Sequence, residues 1–376
     1  MAVSLAPPQT RRLPYLDNLR TALVACIIAA HGLTGYSAVG GWAYAEVAES
    51  RVHPVVELVL ISLVGVSGLF IIGALFFISG LLAPISLARR GPDSYVSERL
   101  RRLGLPFLLS AFLVWPLSVW VAYRAAGHDV SPWWVFRHRD PFLDSGAMWF
   151  AEVLLVFSVG YAVLWSLHRP ARTLLAARHL LIAVALIAAL NFAVRLGFPA
   201  RSKQPGDLHF WQLPQCLVMF GLGTVAGGFR WLDTLDPKLV ARCRAVALGT
   251  TIALPIAALF AGIHDFARDS LPYLGGWTWQ SLIASVIEGV VVVSYSIWLL
   301  GAAQRHLESD FLGRHQREAF AAFFLQGPVL MLLATSLRFL DVPAEFKAVA
   351  VAIGGVVGSF WIGGMLIRHT VLQRLF

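Results

Sequence analysis

Long apolar runs, rather than an alternation of apolar and polar positions, organise this sequence. Most of the runs hold roughly 20 residues, the length that an α-helix needs to cross a hydrocarbon core of about 30 Å. Because strand-type alternation is absent, helices must satisfy the backbone hydrogen bonds within lipid. The ten membrane helices that this pattern predicts lie near residues 17–37, 56–83, 104–123, 147–167, 180–196, 211–229, 245–263, 279–303, 319–338 and 346–367.

Composition supports the same fold class. Hydrophobic residues make up 58% of the chain and charged residues 14%, whereas a soluble globular protein carries about 25% charged residues. A soluble core of this length could not cover so many apolar side chains. We therefore predict an all-α polytopic membrane bundle, formed as one domain over residues 1–376.

Charge predicts the orientation of this bundle. Twenty of the 30 Lys and Arg residues fall on one side of the ten predicted crossings. The positive-inside rule makes that side cytoplasmic and places both termini there. We attribute the net charge of +9 to these loops and to an anionic ligand, not to nucleic acid. Cys26, Cys216 and Cys243 form no CxxC pair, so we expect neither disulfides nor a metal site.

The longer outward connections, near residues 38–55, 124–146, 197–210 and 264–278, are rich in Trp, Pro, Asp and His. Their tryptophans are typical of interfacial anchors, and sugar stacking is the alternative. These tryptophans are Trp133, Trp134, Trp211, Trp277 and Trp279. Since a lone loop histidine is usually solvated, we predict no function for the loop histidines, which are His53, His128, His138, His209 and His264.

The first predicted helix carries the main candidate chemistry. Arg20 and His31 are 11 residues apart, so they lie on one helix face about 16 Å apart along the axis. Asp17 lies one turn before Arg20 and can pair with it. A histidine at membrane depth is a site candidate by default, and helix packing through a hydrogen bond is the alternative.

Two carboxylates and a basic element complete the set. Glu152, near the start of the fourth helix, either orients His31 or binds acceptor hydroxyls, or else pairs with Arg137 or Arg139. Glu288 lies within a membrane helix, where we favour a packing pair with Arg195 or Arg338. The guanidinium groups of Arg99 and Arg102, one turn apart, suit phosphate oxygens. Lipid headgroups are their alternative ligand.

In order along the chain, these segments resemble the acyltransferase 3 family of polytopic membrane acyltransferases. Leu16-Asp17-Asn18-Leu19-Arg20, ten residues and then His31 match the family's opening pattern. The later matches are Phe76-Phe77-Ile78-Ser79-Gly80, the Arg99 and Arg102 element followed by Pro106, and Met148-Trp149-Phe150-Ala151-Glu152. The absence of an appended domain and the ending Arg368–Phe376 are compatible with the glucan-modifying branch.

The resemblance implies a membrane O-acyltransferase in the cell's inner membrane. It would move an acetyl or succinyl group from cytoplasmic acyl-coenzyme A, its co-substrate, to a hydroxyl of a cell-surface or periplasmic glycan. The family's histidine base corresponds to His31. Its acyl-donor arginines correspond to Arg20, Arg99 and Arg102.

The sequence departs from the family pattern in one late helix, where Gln326 stands at a position that is commonly histidine. The resemblance therefore implies no role for a second histidine at this position. A transporter or flippase without covalent chemistry is the rival function, with His31, Glu152 and Glu288 lining a path. A lipid-binding structural protein is a third interpretation, but such a function does not explain the spacing of Arg20 and His31.

Overall fold

The computed structural model describes residues 13–37, 52–167, 176–202, 204–226, 235–263, 269–309 and 315–369. Helices and no strands occur within these ranges, so the predicted all-α class is confirmed. His264 and most of the outward connection at 38–55 lie outside the described residues.

Twelve helices follow one another along the described ranges, and nine of them are long and apolar enough to cross a membrane. The sixth predicted span is a shorter apolar helix, α7. The helices are α1 (Pro14–Thr34), α2 (Pro54–Arg90), α3 (Pro92–Ala125), α4 (Pro132–His138), α5 (Trp149–Leu167), α6 (Ala177–Gly197), α7 (Leu213–Ala226), α8 (Pro237–Phe260), α9 (Leu271–Leu274), α10 (Trp279–His306), α11 (Gln316–Leu337) and α12 (Ala344–His369).

The basic connection after the second predicted helix is itself helical. Only Gly91 separates α2 from α3, and its φ of 78° is the left-handed conformation that glycine adopts at little cost. Two π-helical turns interrupt α3, at Leu100–Gly104 and Ser110–Val114. Each precedes a proline, Pro106 or Pro116, whose ring and missing N–H disrupt the regular α-helical hydrogen bonds.

Contacts between helix ends show how the chain traverses the bundle. The Asn18 side chain, in α1, donates to the carbonyl oxygens of Leu307 and Ser309, just after α10, at 2.6 Å each. The Arg368 guanidinium, in α12, lies 3.0 Å from the Glu318 carboxylate at the start of α11. The beginning of α1 and the end of α12 therefore lie at the same end of the bundle, as ten crossings require.

Close backbone packing explains why the segment that begins at Phe76 has a glycine at position 80. A Cβ at Gly80 would lie 2.2 Å from the Phe220 carbonyl oxygen, and one at Gly223 would lie 2.3 Å from the Phe77 carbonyl oxygen. Such distances exclude any side chain at either position. Helices α2 and α7 therefore cross in direct backbone contact, a packing mode that small residues allow in membranes.

Candidate active site

His31 is held from a neighbouring helix by the residue that departs from the family pattern. The Nδ1 atom of His31, in α1, lies 2.8 Å from Oε1 of Gln326, in α11. Gln326 is 1% exposed and lies near the midpoint of its helix. His31 itself lies in the last turn of α1, so the contact places the end of α1 against the middle of α11.

The hydrogen bonds of Gln326 assign the tautomer of His31. The Gln326 Nε2 group donates to the Phe323 carbonyl oxygen at 3.0 Å, so Oε1 is the atom that faces the imidazole. As Oε1 can only accept, Nδ1 of His31 carries the proton and donates it. Nε2 of the neutral ring then carries the lone pair that a general base needs.

A small cavity lies beside the Gln326 amide, between α3, α11 and the turn Gly146–Met148 that precedes α5. It has room for roughly one water molecule. Ser110, Ser145 and Trp115 line it together with Gln326. The Ser110 hydroxyl donates to the Ser145 carbonyl oxygen at 2.9 Å, which holds α3 against the turn. The half-buried His31 therefore lies next to a region that contains both space and polar groups.

At the opposite end of α1, Arg20 joins a group of arginines that we call the arginine cluster. Each member is near enough to another for their charges to interact. The cluster consists of Arg20, Arg89, Arg90, Arg99, Arg101, Arg102 and Arg317. The structure thus brings together the three arginines singled out in the sequence, and it adds four that sequence reasoning did not assign.

Acidic groups compensate part of this charge. Asp17 interacts favourably with Arg20, as its spacing predicted. The Glu98 carboxylate pairs with Arg90 and lies 3.3 Å from Arg102. Since the carboxylates of Asp17 and Glu98 are outnumbered by the seven guanidinium groups, the cluster retains excess positive charge. Such a group suits an anion with several oxygens, above all a phosphate.

Glu152 lies in the first turn of α5, and the structure joins it to none of its proposed partners. Its Oε2 atom is buried and has no hydrogen-bond partner within the part of the chain that the structure describes. Arg137 instead lies over the Trp133 ring at 5.1 Å, and Arg139 lies over the Phe136 ring at 4.5 Å. Because Gln326 occupies Nδ1 of His31, the remaining prediction for Glu152 is a contact with an acceptor hydroxyl.

A loop histidine that sequence reasoning set aside also reaches the His31 region. His209 precedes α7, and its ring meets the Trp149 ring edge to face, with centroids 4.6 Å apart. It is close enough to His31 for a charge on one imidazole to oppose protonation of the other. Burial and this proximity lower the pKa of His209 to about 4, so its ring is neutral near pH 7. Only the three-dimensional path of the loop reveals this contact.

Glu288 pairs with Arg195, one of the two partners proposed from the sequence. The carboxylate, in α10, lies 2.5 Å from the Arg195 guanidinium and accepts a hydrogen bond from Asn191 at 3.0 Å. Both partners are on α6, and all three residues are buried. Arg195 also lies over the Trp211 ring at 5.3 Å. This trio joins two helices and makes no described contact with His31.

A family model described as an acyltransferase domain matches residues 13–368. The match spans α1 through almost all of α12, and it includes His31, the arginine cluster and Gln326. No curated protein matches the chain.

Proposed function

Because the chain belongs to this acyltransferase family and is a multi-pass membrane protein, we propose that it transfers an acetyl or succinyl group from cytoplasmic acyl-coenzyme A to a glycan hydroxyl at the outer side of the membrane. One observation carries the proposal. A single helix, α1, presents Arg20 to the arginine cluster near its beginning and, in its last turn, His31 to Gln326 in the middle of α11. The helix therefore links a phosphate-type site to a base.

The arginine cluster would bind the phosphates of the donor. Its members Arg20, Arg99 and Arg102 come from α1 and α3, so a bound coenzyme A would bridge the two helices. The positive-inside rule places this end in the cytoplasm, where acyl-coenzyme A is found. The acyl arm would then extend along α1 towards His31.

His31 would act as the general base. Its Nε2 atom takes the proton of the acceptor hydroxyl as the oxygen attacks the thioester carbonyl. The tetrahedral intermediate then breaks its carbon–sulfur bond, and the coenzyme A sulfur leaves with the proton that His31 returns. The ester and free coenzyme A are the products. Glu152, half-buried on α5, would bind the acceptor.

Mass spectrometry of surface and periplasmic glycans tests the overall function. Cells carrying the gene should contain glycans heavier by one acyl group than glycans from cells without it. The mass difference identifies both the acyl group and the acceptor. An unchanged glycan profile, together with movement of an unmodified substrate across the membrane, would instead support the transporter reading.

Kinetics of a double variant test the donor site. Arg99→Ala with Arg102→Ala should raise the half-saturating concentration of acyl-coenzyme A at least tenfold, because a hydrogen bond to a charged group contributes about 1.5–3 kcal/mol. The matched control is Arg242→Ala with Arg244→Ala. Both control residues are exposed on α8 and predicted on the same membrane side, so their loss removes equal charge. Equal effects of the two pairs would assign Arg99 and Arg102 to lipid headgroups.

A further inference from the structure

The segment from Gln204 to Gln212 carries His209 in a constrained conformation. Asp207 and His209 have φ values of 58° and 45°, in the left-handed region that residues other than glycine seldom adopt. The Gln212 N–H donates to the His209 carbonyl oxygen at 2.8 Å, and the Gln212 side chain bonds to the carbonyl oxygen of Gly68, in α2. The fold thus accepts backbone strain at the residue whose ring it packs against Trp149, within electrostatic range of His31.

The imidazole of His209 has unused hydrogen-bonding capacity. Its Nε2 atom lies 3.7 Å from the Asp207 carboxyl oxygen. Its Nδ1 atom is buried and has no hydrogen-bond partner among the described residues. Leaving a buried polar nitrogen without a partner is energetically unfavourable. A ligand that hydrogen-bonds this nitrogen would remove that cost.

The carboxyl groups of Asp207 and Asp144 form a pair close to His209. Asp207 is hydrogen-bonded to Asp144, and burial together with the charge of Asp144 raises the pKa of Asp207 to about 8. Asp207 therefore keeps its proton near pH 7. Asp144 also accepts a hydrogen bond from the Gly146 N–H at 2.9 Å, at the start of the turn that leads to Trp149. The pair thus joins the His209 segment to the beginning of α5.

We propose that His209, supported by the Asp144 and Asp207 pair, binds the acyl acceptor beside His31 through a second hydroxyl next to the one that reacts. The acceptors that fit are polyols with neighbouring hydroxyls. Nδ1 of the neutral imidazole bonds to the second hydroxyl, while Nε2 of His31 faces the reacting one. Trp149 supplies an apolar surface, and Glu152, one turn later in α5, is on the same helix face. This assignment rests on the proposed transfer to a glycan.

The test separates acceptor binding from donor binding. Purified protein in detergent receives acetyl- or succinyl-coenzyme A, with the glycan fraction from cells lacking the gene as acceptor. His209→Gly removes the imidazole but allows the left-handed backbone, and His209→Asn restores a polar group in a residue that tolerates that conformation. We expect the glycine variant to raise the half-saturating glycan concentration at least tenfold, with less than a twofold change for the donor. The asparagine variant should recover part of the loss.

His128→Gly is the matched control, since His128 is exposed in another outward loop, and it should leave both concentrations unchanged. Asp207→Asn, which keeps the residue's size, should also weaken acceptor use alone. A glycan requirement unchanged in both the glycine variant and Asp207→Asn would overturn the assignment, as would an equal rise for donor and glycan. Failure of the unmodified protein to acylate the glycan would instead refute the proposed function itself.

Discussion

Two polar groups lie within the apolar bundle, and they differ in access. His31 is half-buried, and its partner Gln326 lines a small cavity. Glu288, Arg195 and Asn191 are buried and face one another across α6 and α10. Both groups satisfy the rule that polar residues in a membrane need partners.

The difference shows that depth alone does not identify a site. A pair of opposite charges that face each other stabilises helix packing, whereas a half-buried histidine whose Nδ1 is held by a glutamine suits proton transfer. We therefore expect substitutions in the two groups to affect different properties, transfer in one case and stability in the other.

Replacing His31 should produce the largest effect. His31→Ala should reduce acyl transfer roughly 10²–10⁴-fold, which is the usual contribution of a positioned general base. The melting temperature in detergent should change little, because the ring is only half-buried. Transfer rates and melting curves from the same purified sample measure both properties. Full transfer by this variant would remove His31 from the mechanism.

Breaking the Glu288 pair should affect stability instead. Glu288→Ala leaves the buried Arg195 charge without its carboxylate, so the free energy of unfolding should fall by about 3–5 kcal/mol. Glu288→Leu combined with Arg195→Met removes both charges and should be less destabilising than the single change. Chemical denaturation in detergent compares the variants. A catalytic loss in folded protein as large as that of His31→Ala would contradict the division between the groups.

Changing the partner of His31 should have an intermediate effect. Gln326→Leu removes the acceptor that fixes the imidazole tautomer, and one hydrogen bond contributes about 0.5–1.5 kcal/mol, so transfer should fall up to roughly tenfold. Gln326→His supplies another acceptor at the same position and should retain most of the activity. If leucine and histidine variants lose activity equally, packing rather than the hydrogen bond is what Gln326 provides.

The smallest effect should appear in the dependence of stability on pH. The folded state keeps a proton on Asp207 up to a pKa of about 8, against 3.8 for the unfolded chain, so this group lowers stability as pH rises through that interval. His209 has the opposite influence, but only between about 4 and 6.5. Between pH 6.5 and 8.5, Asp207→Asn should reduce the decrease in melting temperature with rising pH, whereas His209→Gly should not. Parallel curves for Asp207→Asn and the unmodified protein would contradict the raised pKa of Asp207.

The helices and the face shared by Arg20 and His31 follow from sequence because they depend on local apolar length and helical period. The pair of Glu288 with Arg195 was also foreseen, as buried charges require partners. Other features depend on how distant segments meet. Gln326 stood out only as a departure from a pattern, although the structure makes it the partner of His31. His209 gave no signal, since its position depends on left-handed backbone angles and on a loop that folds back over α2.

The Asn18 contacts with Leu307 and Ser309 have a consequence for the length of α1. They fix the first turns of α1 in place. An inserted residue must therefore displace the part of α1 that follows it, including His31. One extra alanine between Arg20 and His31 would rotate the imidazole by about 100° and raise it by about 1.5 Å. An insertion of seven would restore its direction but lift it about 10 Å above Gln326. The interval of 11 residues thus fixes the distance and the relative direction of the Arg20 and His31 side chains.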